Sequence, residues 1–145
     1  MKEGWETEMN LVISEDTWEE ICTEAHLVTN SNMWREFKWK VITRFFRTPE
    51  IVSKMGPSHS DRCWRNCSTL IGNHTHIFWS CPKLKAFWER IFKALTEIFH
   101  QLLPKDPKVA LLGVIPEGIE GRAKRYLLQI LLTAALKCIT IKWLN

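Results

Sequence analysis

Three of the chain's five cysteines and two of its five histidines fall in one short stretch, Cys63 to Cys81 (CWRNCSTLIGNHTHIFWSC). Nothing else in the sequence restricts the backbone as strongly. Cys63 and Cys67 are separated by three residues, His76 and Cys81 by four. Pairs this close can curl round one soft dication, which takes four thiolate or imidazole ligands in a tetrahedron. Cys63, Cys67, His76 and Cys81 therefore read as one structural zinc site. His74 competes for the third position, because on an extended segment it shares a face with His76 and one imidazole suffices. A cysteine is also simply a small buried hydrophobe, and two of these thiols are capable of a disulfide. The chain opens with no basic-then-apolar leader, so the expectation is an intracellular protein of nucleus or cytoplasm, not a secreted one. In a reducing compartment, clustered Cys and His favour metal. Cys22 and Cys138 stand alone in helical patterns and read as core thiols.

With 145 residues, 46% of them hydrophobic and 25% charged, the chain has enough apolar material for a modest core and is not compositionally disordered. Eight tryptophans demand burial or contacts. The net charge of +4 hides an asymmetry: residues 1–33 carry eight acids against Lys2 alone, and the other nineteen Lys and Arg follow. A basic body behind an acidic leader suggests a polyanion partner, against the plainer reading of a solvated surface.

In chain order, residues 1–13 form an unpatterned lead-in. Ser14 can cap a helix with Glu15 and Asp16 in its first turn, and Trp18, Ile21, Cys22 and Ala25 recur as an amphipathic stripe. Thr29 to Asn32 ends it and caps a second helix, Met33 to about Phe46, with Trp34, Phe37, Val41, Ile42 and Phe45 on its apolar face. Arg35, Lys38, Arg44 and Arg47 lie largely opposite, near Trp39 and Lys40. Basic side chains interleaved with aromatics suit a phosphate backbone and unpaired bases. Thr48-Pro49-Glu50 starts a short helix to about Met55, and Gly56-Pro57-Ser58 stops it. Beyond the metal stretch, Pro82 opens the clearest helix: Leu84, Phe87, Trp88, Ile91, Phe92, Leu95, Ile98, Phe99 and Leu102 fit a 3.6-residue period and read as core. Pro104 to Pro107 breaks it. Val109 to Val114 reads as a strand or a buried extended connection, and Pro116-Glu117-Gly118 as a turn. Residues 119–144 begin with Arg122, Lys124 and Arg125 and become apolar. Gln129 and Lys137 interrupt a run too short to span a bilayer, so a core helix is expected rather than a membrane segment. The end at Trp143-Leu144-Asn145 has the look of a truncated segment. The expected fold is mainly α: helical segments either side of a small zinc knuckle, with little or no β-sheet, dividing as 1–57, 58–82 and 83–145.

An ordered set of short elements carries a family resemblance: Trp18-Glu19-Glu20-Ile21, Trp34-Arg35 through Lys40, Arg44-Phe45-Phe46, Thr48-Pro49-Glu50, Cys63-Trp64-Arg65-Asn66-Cys67, His76 to Pro82, Phe87-Trp88, Leu111-Leu112-Gly113 and Lys142-Trp143-Leu144. From Ser14 onward the chain resembles the C-terminal region of LINE-type (non-LTR) retrotransposon reverse transcriptases, with thumb-like helices, a CCHC zinc knuckle and a helical tail. Mammalian-type members have the form C-x3-C-x7-H-x4-C. Here eight residues precede His76, which keeps His74 as the alternative third ligand.

The resemblance implies binding of RNA or DNA without catalysis. No paired catalytic aspartates in a hairpin context, endonuclease motif or phosphate-cradling glycine loop is found in the sequence, and a shell of three cysteines and a histidine leaves no open metal position. No enzymatic activity and no small-molecule substrate are expected. The candidate nucleic-acid contacts are Arg35, Lys38, Arg44, Arg47, Arg62, Trp64, Arg65, Lys83 and Lys85, with Trp64 or Trp39 placed to stack; Trp79 and Trp88 are assigned to the core. The competing expectation is a structural or protein-interaction zinc domain, a retroelement remnant whose basic face binds nothing. A peripheral membrane module using residues 119–144 is a third.

Overall fold

The computed structural model describes residues 1–27, 29–56, 58–67 and 71–142. Pro57 of the expected linker and the closing Trp143-Leu144-Asn145 lie outside them. Seven α-helices are found among the described residues: α1 (Lys2–Met9), α2 (Glu15–Leu27), α3 (Asn32–Ile42), α4 (Pro49–Ser53), α5 (Lys85–Phe99), α6 (Pro107–Leu112) and α7 (Arg122–Ile141), with a π-helical turn His76–Ser80 and a 3-10 turn Pro82–Leu84 between α4 and α5. No strand occurs among the described residues. The fold is mainly α.

The expected unstructured lead-in is a helix. Trp5 in α1 is fully buried and donates its indole N–H to the Ile42 carbonyl at 2.8 Å. Asn10, in the left-handed conformation (φ 55°), ends α1. Ser14 caps α2 by accepting from the Thr17 amide at 3.1 Å, and Ile21 and Ala25 are buried as their spacing predicts. The α3 helix stops at Ile42, short of Phe46; Arg44 beyond it takes φ 59°. In α5, Trp88, Phe92, Leu95 and Phe99 are buried. The expected stripe was too wide there, since Ile98 is 47% and Leu102 86% exposed. Trp88 is core as expected, and half-buried Trp79 packs on it with ring centroids 5.0 Å apart.

The run Val109–Val114, expected to be extended, instead forms most of α6. Asp106 caps it by accepting from the Lys108 amide at 2.9 Å, with Pro107 in the first turn. Gly113 closes it at φ 76°, and a Cβ there would sit 2.6 Å from Gln129 Oε1. That close approach lets the buried Gln129 of α7 donate to the Gly113 carbonyl at 2.7 Å. Leu128, Leu132, Ala135, Leu136 and Ile139 of α7 are buried. Cys138 is exposed and Cys22 half-buried, so neither is a core thiol. No helix among the described residues is long and apolar enough to cross a membrane.

One hydrophobic cluster runs from Trp5 in α1 to Ile139 in α7 and includes residues of α2, α3, α5 and α6. The helices on both sides of the cysteine-rich stretch thus share a core. Inside it lies Lys38, 1% exposed, its Nζ donating to the Leu111 carbonyl at 3.2 Å. Burial pushes its pKa from 10.5 down to about 8.

Candidate metal centre

Gly72 is joined to two earlier parts of the chain: its amide donates to the Asp61 carbonyl at 2.7 Å, and its carbonyl accepts from the Glu50 amide at 3.2 Å. A Cβ on Gly72 would meet Pro49 Cγ at 2.8 Å and Cys63 Cα at 3.2 Å, so only glycine fits this crossing without displacement. Asn73 then starts the next turn, its Oδ1 accepting from the His76 amide at 2.8 Å. The turn widens to i→i+5, with the Cys81 amide donating to the His76 carbonyl at 3.0 Å.

These two segments bring together four ligand atoms, from Cys63, Cys67, His76 and Cys81, all within 4.8 Å of one another. Cys63 Sγ lies 3.8 Å from Cys81 Sγ, and Cys67 Sγ lies 3.3 Å from His76 Nε2. A disulfide needs about 2.05 Å, so the thiols are not paired that way. Tetrahedral bonds of about 2.3 Å to sulfur put two ligand sulfurs about 3.8 Å apart. The donor set and spacing fit a metal ion. Cys63, Cys81 and His76 are buried, Cys67 half-buried. Ile77 packs with Cys63 and Cys81 as a small apolar wall. Burial pushes the Cys63 thiol up to about 11, and the neighbouring Cys67 and Cys81 also raise it. Burial, followed by the Arg65 charge, lowers His76, which favours the neutral imidazole that ligates metal.

The choice between the two histidines is settled by placement. His74 is fully buried but outside the cluster, edge-on to Trp5 with ring centroids 6.1 Å apart. Among the described residues neither of its ring nitrogens has a hydrogen-bond partner of good geometry, and the backbone of Phe46 and Arg44 acts on the ring only weakly. Burial, then the Arg44 charge, pushes His74 down to about 4.

The metal-site turn is held from outside by residues that spacing does not flag. Glu8 of α1 accepts from the Thr75 amide at 2.9 Å and the Thr75 hydroxyl at 2.7 Å, while its other oxygen pairs with Arg44. Burial works to raise the Glu8 carboxyl, but the bonds from Arg44 and Thr75 outweigh it, and the group is held below its ordinary value. The Arg44 guanidinium lies over the Trp5 ring, 4.9 Å from its centroid. Arg65 donates to the Ile77 carbonyl at 3.0 Å, and the Trp88 indole to the Phe78 carbonyl at 2.9 Å. Nothing marks Glu8 among the eight acids of the leader; only the fold pairs it with residue 75.

The expected nucleic-acid residues separate into groups. Lys38 and Arg44 are corrected: Lys38 is inside the core, and Arg44 is locked to Glu8 with 16% of its side chain exposed. Trp64, Arg65 and Lys83 line one open groove of about 660 Å³ with Lys142 of the tail. Arg62, Lys85 and Arg47 are exposed. Half-buried Arg35 lines a separate cleft with Arg122 and Arg125, and none of the described residues of α3 lines the first groove. Trp39 packs on His26 with centroids 4.8 Å apart. The acidic leader also reaches Arg125, which pairs with Glu20 and Glu24 at 3.5 and 3.0 Å. No family model matches the chain.

Proposed function

We propose that the chain is a non-catalytic zinc-binding module that binds RNA or DNA, as the resemblance to LINE-type reverse transcriptase C-terminal regions suggests. The observation that carries the metal assignment is the convergence of Cys63, Cys67, His76 and Cys81 within 4.8 Å. Three thiolates and an imidazole close a tetrahedral shell and leave no coordination position for a substrate, the pattern of structural zinc. Zinc bound there would supply a crosslink between the 63–67 loop and the 76–81 turn, with about 10–16 kcal/mol of binding free energy coupled to folding. Metal analysis tests this: one zinc per chain in wild type and His74→Ala, with loss in Cys67→Ser and His76→Ala.

The nucleic-acid reading rests on Arg62, Lys83, Lys85 and Arg47 at the surface and on the groove that joins Trp64, Arg65 and Lys83. Phosphate contacts of this kind are salt-dependent and largely blind to sequence. Arg62→Glu with Lys83→Glu, both exposed positions, is expected to weaken RNA binding and flatten its salt dependence. Unchanged affinity and slope in that variant remove this surface. The competing reading, a structural or protein-interaction zinc domain, draws on the internal placement of Lys38 and Arg44 and on the pairing of leader acids with Arg44 and Arg125. Filter binding to single-stranded RNA and DNA at two salt concentrations separates the two.

A further inference from the structure

The groove beside the metal centre is more than a basic patch. Its lining comes from the 63–67 loop, from residues 83–87 and from the end of α7, and four of these residues are large and apolar: Trp64, Leu84, Phe87 and Ile139. Three cations, Arg65, Lys83 and Lys142, line it with them, and no carboxylate is among the described lining residues. Its volume of about 660 Å³ falls within the roughly 300–1,000 Å³ of sites that take a small organic ring system. A paired duplex offers a protein surface its phosphates and groove edges, with the base faces stacked away, so an apolar lining gains nothing from it. An unpaired strand offers a flat ring and a phosphate on each side of it, which is the chemistry this groove complements.

We infer that this groove is a site for an unpaired base of a single-stranded nucleic acid. The ring rests against Trp64 and Phe87, and the flanking phosphates reach Arg65, Lys83 and Lys142. This rests on the nucleic-acid reading above and adds to it a strand preference, a place, and the end of α7 as a participant. Half-buried Arg65 is held by its bond to the Ile77 carbonyl, so the wall that faces the strand is tied to the metal-site turn.

Exposed Cys138 lines the same groove and reports on its occupancy. In a Cys22→Ser background it is the one thiol outside the metal cluster. The experiment follows maleimide labelling of Cys138 in the purified full chain with an oligothymidine or oligouridine strand, a duplex of equal length, or polyglutamate, binding being measured in parallel by fluorescence anisotropy. The expected result is that the single strand slows labelling about tenfold, while a duplex bound to the same extent slows it less than about twofold. Trp64→Ala is expected to cut single-strand affinity about tenfold and leave duplex affinity unchanged, with Trp64→Phe retaining most of it. Single-strand binding that leaves Cys138 reactive, or equal protection by duplex, overturns the groove while the nucleic-acid reading stands. Equal protection by polyglutamate overturns it in favour of an acidic peptide. Failure of both strand forms to bind at low salt removes the nucleic-acid reading, and this site with it.

Discussion

Replacing Lys38 with methionine tests the interior charge directly. Lys38 is 1% exposed, and among the described residues its ammonium has one hydrogen bond, to the Leu111 carbonyl. Burial lowers its pKa from 10.5 to about 8, so at neutral pH the folded chain carries a penalty of about 3 kcal/mol at this residue. Methionine is of similar length and carries no charge, which removes that penalty. It also leaves the Leu111 carbonyl without its donor, at a cost of about 1–3 kcal/mol. The variant is therefore expected to be more stable than wild type at pH 7 by about 1 kcal/mol, about 3 °C in Tm. The pH dependence is sharper. Below pH 8 the lysine is protonated in both states and the penalty is complete. Between 8 and 10.5 the unfolded chain keeps a proton that the folded chain has released, so wild-type stability rises with pH. By pH 9.5 this residue has returned about 2 kcal/mol to the wild type and nothing to Lys38→Met. The difference between the two should fall as pH rises and change sign. Urea unfolding of both proteins at pH 7.0 and 9.5, followed by circular dichroism, measures it. A stability difference that stays constant between the two pH values refutes the buried charge, and a fall in RNA affinity in Lys38→Met refutes the inward placement.

Glu8→Gln keeps the size of the side chain but leaves Arg44 without a carboxylate and is expected to cost about 1–3 kcal/mol. Because Glu8 is held below its ordinary 4.5, its contribution is present above that value and disappears as pH falls through the lower folded one; the acid-unfolding curve of Glu8→Gln should be correspondingly flatter. Gly113→Ala combines a φ of 76° with a clash at Gln129 and should lower stability by about 1–3 kcal/mol, read as a drop in the urea midpoint. Chelation of the zinc form is expected to take up ~3 protons per metal at pH 7 as the thiolates reprotonate, measured by a pH indicator in weak buffer. Uptake near zero would mean the thiols were never ligands.

What the sequence could and could not convey divides along physical lines. Periodicity located α2, the start of α3 and α5, because each has one buried face and enough turns to repeat it; α7 was read from the length of its apolar run. Periodicity failed at α1, where Trp5 is the single buried residue of eight and one residue has no period. It failed at α6 for the opposite reason: Val109, Ala110, Leu111 and Leu112 are all buried, and an all-apolar run looks the same in a strand and a helix. The three cysteines of the candidate metal site were legible from spacing, and spacing offered two histidines for the fourth place. The sequence favours His76 and keeps His74 as a rival; the curl of the 76–81 turn is what brings His76 to the cysteines. Charge was the least informative signal. Lys38 and Arg35 sit three residues apart on one helix, yet the first is in the core and the second lines a cleft. Composition gives the sign of a side chain, not its direction.

The turn at 76–81 explains why the four candidate metal ligands can meet. In a regular α-helix each residue advances 100°, so positions five apart diverge by roughly 140° and point to different sides. An i→i+5 turn takes in one more residue before it closes, and the fifth residue comes back towards the first. The bond from the Cys81 amide to the His76 carbonyl is that closure, and it puts the imidazole and the thiol on the same side, facing Cys63 and Cys67. Such turns are rare because they trade packing along the helix axis for width, so this one needs outside support. It receives support at three nearby residues: Glu8 on Thr75, Arg65 on the Ile77 carbonyl and Trp88 on the Phe78 carbonyl. The first comes from α1, the second from the loop that carries two ligands, the third from α5. The placement of the candidate ligands is thus supported by contacts from three separate parts of the chain. On this argument Glu8→Gln, although Glu8 is not itself a ligand, should weaken metal affinity as well as stability. Competition with a chromophoric chelator measures that, and an affinity equal to wild type would show that the turn holds its width without α1.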